Sequence, residues 1–363
     1  MEEKLTMPKI TVAFRAAASA AITRSSKGVV ALIVRDAVAA KTEQSYELTS
    51  TAQIPAALGE ANKAAIRRVF VGGVTPPQKV LVRVINTTAA ITANCATLKW
   101  LATQQFDYLA GHDELTAEEA GVIKTWIAEQ RADHNAIYKA VLPNLAADHE
   151  AIVNFTASGI HVGKETYTTA AYCGRIAGLL AGTPMTQSGT FARLPEVDDI
   201  DRLAPKDEDT AVGAGKLILT HDGIKVKLGR AVNSLTTVAE PKTGVWRKIK
   251  IMEILDMVAR DIRLTIQDNY IGKVANSYDN KLQLVTAIRG YLADLSASGL
   301  IDPSFTCDLD LTAQEEWLQG HVGPTGGMSV DEIRQANTGT HVWLTINIIP
   351  VDAMEDVSIH INL

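Results

Sequence analysis

Gly213, Gly215 and Lys216 are the residues closest to a phosphate-binding loop. In that motif a glycine stands five residues before a Gly-Lys pair and a Ser or Thr follows it, so that backbone N–H groups cradle the phosphates. Thr210 and Leu217 occupy those two positions here, and the pattern fails twice. His149-Glu150 and Asp133-His134 each set an imidazole beside a carboxylate. Neighbours in sequence point apart on a helix or a strand, so both read as exposed polar pairs rather than ligand sets. The chain has eight histidines but no His-Glu-x-x-His, Cys-x-x-Cys, EF-hand spacing or Gly-x-Ser-x-Gly elbow. No catalytic, cofactor-binding or metal-binding residue is therefore assigned, and no cofactor is expected. One charged cluster stands out: Arg247, Lys248 and Lys250, at the start of a helical pattern. Cations there oppose the helix dipole, which points to an anionic partner.

The bulk properties narrow the field. At 363 residues the chain has room for two to three domains. Hydrophobic residues at 47% and charged residues at 21% are ordinary for a globular fold. Lys+Arg 35 against Asp+Glu 41 gives a net charge of −6, which argues against nucleic-acid binding. Cys95, Cys173 and Cys307 are odd in number and scattered, as suits a reducing compartment. No apolar run approaches the roughly 20 residues that span a bilayer. Met1-Glu2-Glu3-Lys4 leads into no signal-peptide core, so neither membrane insertion nor secretion by signal peptide is expected.

The elements read as a layered α/β fold. Val29–Val34 and Val80–Ile85 are continuous apolar runs, the mark of strands covered on both faces. Helical spacing covers Ile54–Arg68, Thr88–Gln104, Ala117–Ala132 and Glu165–Ala181, alternating with strands at Phe106–Leu109, Ala136–Leu142 and Ile152–Phe155. Thr116 with Glu119, Thr312 with Glu315 and Ser329 with Glu332 have capping-box spacing. Pro195–Gly215 is an acidic surface connection, and His221-Asp222-Gly223 turns a hairpin between Leu217–Thr220 and Ile224–Leu228. Ile251, Leu255, Val258, Ile262 and Ile266 form a helix stripe opposite Lys250, Glu253, Asp256, Arg260 and Arg263. A second stripe runs from Tyr278 to Leu295 and stops at Gly299.

Each end of the chain carries an alternating strand pattern: Ile10, Val12 and Phe14 within Lys9–Arg15, and Val357, Ile359 and Ile361 within Asp356–Leu363. Short tethers, Ala16–Ser26 and Pro350–Glu355, join them to the rest. A lone strand needs a sheet for its backbone and its apolar face. Two outcomes remain open: closure within the chain, or addition to a neighbour's sheet edge. The alternating strand with Val342, Leu344, Ile346 and Ile348 is a natural receiver.

Several segments resemble contractile phage tail sheath proteins. They are Gly229-Arg230-Ala231-Val232-Asn233-Ser234-Leu235-Thr236-Thr237, Trp246–Glu253, Asp261-Ile262, Tyr270–Asn276 and, near the start, Arg24–Val34. The resemblance implies an N-terminal strand arm and linker (1–26), an α/β middle domain (27–228), a tube-facing α+β C-terminal domain (229–350) and a C-terminal strand arm (351–363). It implies a structural subunit, not an enzyme, whose terminal strands are exchanged between subunits. Such subunits stack as hexameric rings around an inner tail tube protein, meet baseplate and tail terminator proteins, and contract to drive the tube through a cell envelope. The particle is a virion tail or a phage-tail-like bacteriocin assembled in the bacterial host cytoplasm. Within that picture Arg247, Lys248 and Lys250 are the candidates for facing the tube. Another phage structural protein, such as a baseplate component, and an α/β enzyme with a dispersed site are the competing readings.

Overall fold

The run Val29-Val30-Ala31-Leu32-Ile33-Val34-Arg35 forms a strand whose alternate side chains enter two different cores, which explains why it lacks a polar face. The computed structural model describes residues 22, 27–39, 42–240 and 242–362. The expected strand Lys9–Arg15, with Ile10, Val12 and Phe14, lies outside them. The described chain divides into two compact units, residues 27–260 with 350–362 and residues 261–349.

The larger unit is built on β1 (Val29–Arg35), β2 (Gln44–Leu48), α1 (Glu60–Val71), β3 (Lys79–Ile85), α2 (Ala96–Leu101), β4 (Tyr108–Ala110), α3 (Ala117–His134), β5 (Lys139–Pro143) and β6 (Ile152–Phe155). There follow β7 (Ile160–Val162), β8 (Glu165–Tyr167), α4 (Thr169–Ala181), α5 (Pro205–Gly213), β9 (Lys216–Leu217), β10 (Leu219–His221) and β11 (Val226–Leu228). The main sheet has the order β2-β3-β1-β4-β5-β6-β9. All neighbours in it are parallel except β2, which lies antiparallel on β3. Val30, Leu32 and Val34 face α1 and α4, while Ala31 and Ile33 face α2 and α3. The helices α1 and α4 approach closely at Gly178, where an added Cβ would lie 2.1 Å from the Val69 carbonyl oxygen.

The parallel strands are also tied together by charge at their N-terminal ends. There α6 (Ile249–Asn269) begins, and its first half belongs to this unit. Its expected polar face is buried: Glu253 and Asp256 are each only 4% exposed. Asp256 binds Lys139 (3.0 Å) and Arg131 (2.7 Å), Glu253 binds Lys27 (2.6 Å) and the Tyr108 hydroxyl, and Arg260 binds Asp107 (3.0 Å). Asp107 also accepts the N–H groups of Gly28 and Val29. Burial alone would raise the Asp256 carboxyl, but Lys139 and Arg131 outweigh it and hold it below the ordinary carboxylate range.

The smaller unit contains the rest of α6, α7 (Tyr278–Ala297), β12 (Thr306–Leu309), α8 (Leu311–His321), α9 (Val330–Gln335) and β13 (Leu344–Asn347). Ser277 caps α7, and Gly299, at φ 69°, takes the left-handed conformation that ends it. Leu284, Val285, Ile288, Leu292 and Leu295 form its buried stripe. The Tyr291 hydroxyl donates to Asp261, 2.7 Å away. The ribbon of β12 and β13 is antiparallel.

Most departures from the sequence reading sit at element ends. The helix expected from Ile54 starts at Glu60, after a turn closed by the Leu58 N–H on the Pro55 carbonyl. The one expected over Thr88–Gln104 shrinks to α2, because the Asn86 side chain holds Thr88 in a turn. The strand expected over Phe106–Leu109 is β4, Tyr108–Ala110, and the acidic connection contains α5, opened by Pro205. The helix expected from Glu165 begins at Thr169, and Glu165–Tyr167 is β8. The boxes at Thr116/Glu119 and Ser329/Glu332 form, whereas Asp310 displaces Thr312 as the cap of α8. The two compact units divide inside α6, because Ala231–Ser234 and the start of α6 bond back onto the larger unit.

Two outcomes test this packing. Gly178→Ala should destabilise the larger unit by about 1–3 kcal/mol through overpacking against Val69, read by urea unfolding. Asp256→Asn leaves the Lys139 and Arg131 cations short of an anion and should cost about 3–5 kcal/mol at pH 7. The Asp256 pKa is depressed on folding, so its contribution is present above the unfolded pKa of about 3.9 and is lost as pH falls through the lower folded value. The gap between parent and variant should therefore close below about pH 4.

Candidate assembly interface

The last segment of the chain turns its apolar residues outward. Residues 351–362 form neither helix nor strand, and no described residue forms a ladder with them. Val357, Ile359 and Ile361 are 71%, 78% and 80% exposed. The strand expected over Asp356–Leu363 has no ladder partner among the described residues. Hydrophobic side chains on alternate positions, all in water, form a strand face with no sheet beneath it.

The smaller unit holds a matching deficiency. The receiver expected around Val342, Leu344, Ile346 and Ile348 includes β13, whose one ladder partner among the described residues is β12. A two-stranded ribbon is marginal alone, and the other edge of β13 has no ladder partner among the described residues. Beside it lies a groove of about 590 Å³ lined by Ile266, Tyr270, Ile271, Val274, Leu284, Val342 and Leu344. Ile271 is 64% exposed. The Tyr270 hydroxyl and the Asn276 Oδ1, also on this groove, are shielded from water yet bond to no described residue. Lys281, on the same wall, is buried with only the Thr338 hydroxyl (2.9 Å) and Gln314 (3.4 Å) as partners, and burial lowers its pKa. Shielded polar groups without partners among the described residues are costly.

The basic cluster lies just before and at the start of α6. Arg247 donates to the carbonyls of Leu235 (3.1 Å), Val212 (3.3 Å) and Gly213 (2.6 Å). Lys248 pairs with the carboxylates of Asp352 and Glu355. Lys250 is buried, and burial lowers its pKa. The Lys248 cation at the entrance of α6 is thus offset by carboxylates from the C-terminal segment. The sequence could not show this, because 107 positions separate Lys248 from Glu355.

The places where an enzyme of this topology holds ligands are filled by the chain itself. The strand order β3-β1-β4-β5-β6 puts the switch point at the C-terminal ends of β1 and β4, where open α/β sheets bind ligands. Arg35 there donates to the Ala89 carbonyl and to Glu119 (2.8 Å). Asp36 accepts the N–H of Gly59 (2.7 Å) and the amide of Asn62 (2.8 Å). His112 is 3% exposed, and burial with the Arg35 guanidinium nearby lowers its pKa. Glu150 is buried against Lys242, and the His149 Nδ1 accepts the Ala151 N–H, so that pair is structural rather than exposed. Gly215 is a left-handed turn between α5 and β9. Among the described residues no cluster of three metal-ligating side chains occurs, and no helix is long and apolar enough to cross a membrane.

Comparison with known proteins identifies the family. The model of the phage tail sheath C-terminal domain matches residues 242–363. The chain is 36% identical over 359 residues to the tail sheath protein of Clostridium phage phiCD119, covering 98% of each. It is 26% identical over 227 residues to the Bacillus subtilis protein YqbK, covering 60% of this chain and 48% of that one. The fold matches the sheath tail protein Lin1278 from Listeria innocua with a TM-score of 0.66 at 16% identity, over 92% and 97% of the two chains. It matches the helical sheath of the anti-feeding prophage in its contracted state with a TM-score of 0.69 at 14% identity, over 99% of both. The matched tail sheath proteins are structural proteins, not enzymes. An unpaired apolar arm, an unfinished ribbon and near-complete alignment to a tail sheath protein agree: this chain belongs to the phage tail sheath protein family, as a structural subunit of a contractile sheath.

Proposed function

We propose that the chain polymerises as stacked hexameric rings around an inner tail tube protein, joined by exchange of terminal strands, and contracts to drive the tube through a cell envelope. The observation that carries this reading is the unpaired alternation of Val357, Ile359 and Ile361. An arm with one apolar face and a ribbon with one open edge are complementary halves of a strand addition. Main-chain hydrogen bonds supply affinity, and the groove lined by Ile271, Val274 and Val342 receives alternate side chains. Ile10, Val12 and Phe14, outside the described residues, are the second donated strand in this reading. A donor and an acceptor at different places on one chain make a head-to-tail contact, which propagates into open polymers rather than closing at a dimer.

Contraction in this scheme is rigid-body motion of subunits about the linkers, while the strand network keeps them joined. The linker Ala16–Ser26 serves at one end, and the junction after Asp356 serves at the other. Baseplate and tail terminator proteins bound the polymer at its two ends, in a virion tail or phage-tail-like particle assembled in the host cytoplasm. The net charge of −6 gives no reason to add a nucleic-acid partner.

Electron microscopy of the purified full chain should show hollow striated tubes, and removal of Val357–Leu363 should abolish them. The substitution Ile359→Asp should do the same while changing the stability of the unassembled subunit by no more than about 0.5 kcal/mol, because the side chain is exposed there. Tubes that persist in both variants would remove strand donation by the C-terminal arm.

A further inference from the structure

We propose that Ser188, Thr190, Arg230 and Lys248 form a carboxylate socket for Glu355, and that this clasp fixes the root of the C-terminal arm. The Glu355 side chain is only 6% exposed although the segment around it has no regular structure. Its Oε1 lies 2.6 Å from the Thr190 hydroxyl and 3.1 Å from that of Ser188. Its Oε2 lies 3.2 Å from the Lys248 ammonium and 3.6 Å from the Arg230 Nε. The same two cations hold its neighbours in sequence, Lys248 on Asp352 and Arg230 on Asp356.

The socket hydroxyls are also held by backbone contacts that do not involve the arm. The Ser188 hydroxyl oxygen accepts the Thr190 N–H (3.1 Å), and the Thr190 hydroxyl oxygen accepts the Ala231 N–H (3.0 Å). The turn ends at Phe191, which is 59% exposed and has φ 56°. A bulky side chain in the left-handed region is strained, and here the strained residue directly follows the hydroxyl that the carboxylate uses. Lys248 immediately precedes α6, so the ion layer beneath the sheet fixes its position as well.

The clasp moves the hinge. Pro350–Glu355 reads from sequence as a tether, but its last four residues are gripped at Asp352 and Glu355. The free arm is then Val357–Leu363, seven residues, with a reach of about 23 Å at about 3.3 Å per residue. An open clasp frees fourteen residues, 350–363, and doubles that reach. Doubling a tether lowers the effective concentration of its end by about 3-fold. This consequence rests on the strand-donation reading, whereas the socket itself does not.

The test uses the full chain. In the unassembled subunit, ¹⁵N relaxation should give order parameters for residues 352–356 of about 0.8 in the parent and under about 0.6 in Glu355→Gln and Lys248→Met. Residues 357–362 should be under about 0.6 in all three. Thr190→Val, which keeps both charges, should loosen the same residues if Lys248→Met perturbs α6. Order parameters unchanged in every variant would overturn the socket. Sedimentation should then show the critical concentration for polymerisation rising about 3-fold in Glu355→Gln. A loosened root with an unchanged critical concentration would overturn its control of reach. If the chain lacking Val357–Leu363 polymerises like the parent, strand donation fails, and the socket stands or falls on the order parameters alone.

Discussion

Everything that the larger unit presents outward depends on the charge layer at the N-terminal ends of its strands. Lys27, Asp107, Lys139, Glu253, Asp256 and Arg260 come from four separate stretches of sequence and meet around a space of only about 10 Å³. Charges so buried are stable only as a set, because each isolated member would have lost its hydration without compensation. The layer fixes the first half of α6 against the sheet. That in turn fixes Lys248 at its entrance, and Lys248 holds the segment from which the C-terminal arm departs. A continuous chain of contacts thus leads from the sheet to the C-terminal segment, which forms no ladder among the described residues.

This arrangement also explains why an α/β sheet of familiar strand order carries no visible catalytic constellation. The crevice at the switch point is closed by Arg35, Asp36 and Glu119, each of which bonds to backbone groups of the chain itself. The opposite edge is closed by α6. What the fold leaves unsatisfied lies elsewhere: an apolar arm in water, and an edge strand beside shielded polar atoms. Such deficits are hazards in a monomer and attachment points in a polymer.

Local signals in the sequence located the elements well. The apolar runs of β1 and β3, the hairpin of β10 and β11, the capping box of α3 and the stripe of α7 all depend on residues within a few positions of one another. Failures began where a distant residue decided the outcome. The face of α6 with Glu253 and Asp256 has the pattern of a solvated surface, yet partners 117 and more positions away bury it. Arg247, Lys248 and Lys250 read as one basic patch by local rules, whereas the carboxylates that meet Lys248 come from the distant C-terminal segment. The strand β12 went unnoticed because Thr306–Leu309 is short and mixed in polarity, and its identity comes from its ladder with β13. Asp310 took the cap from Thr312 because a carboxylate two residues upstream competes for the same free N–H groups.

The two-stranded ribbon has one more consequence. If β13 is completed only when another copy supplies a strand, the order of this region belongs to the filament rather than to the chain. Subunits in the interior are finished on every side, while those at one extremity keep a bare edge and those at the other keep a bare arm. The two extremities are then chemically unlike, although every subunit has the same sequence. Growth and loss are confined to them, and a protein that stops the polymer at one end need resemble nothing that stops it at the other.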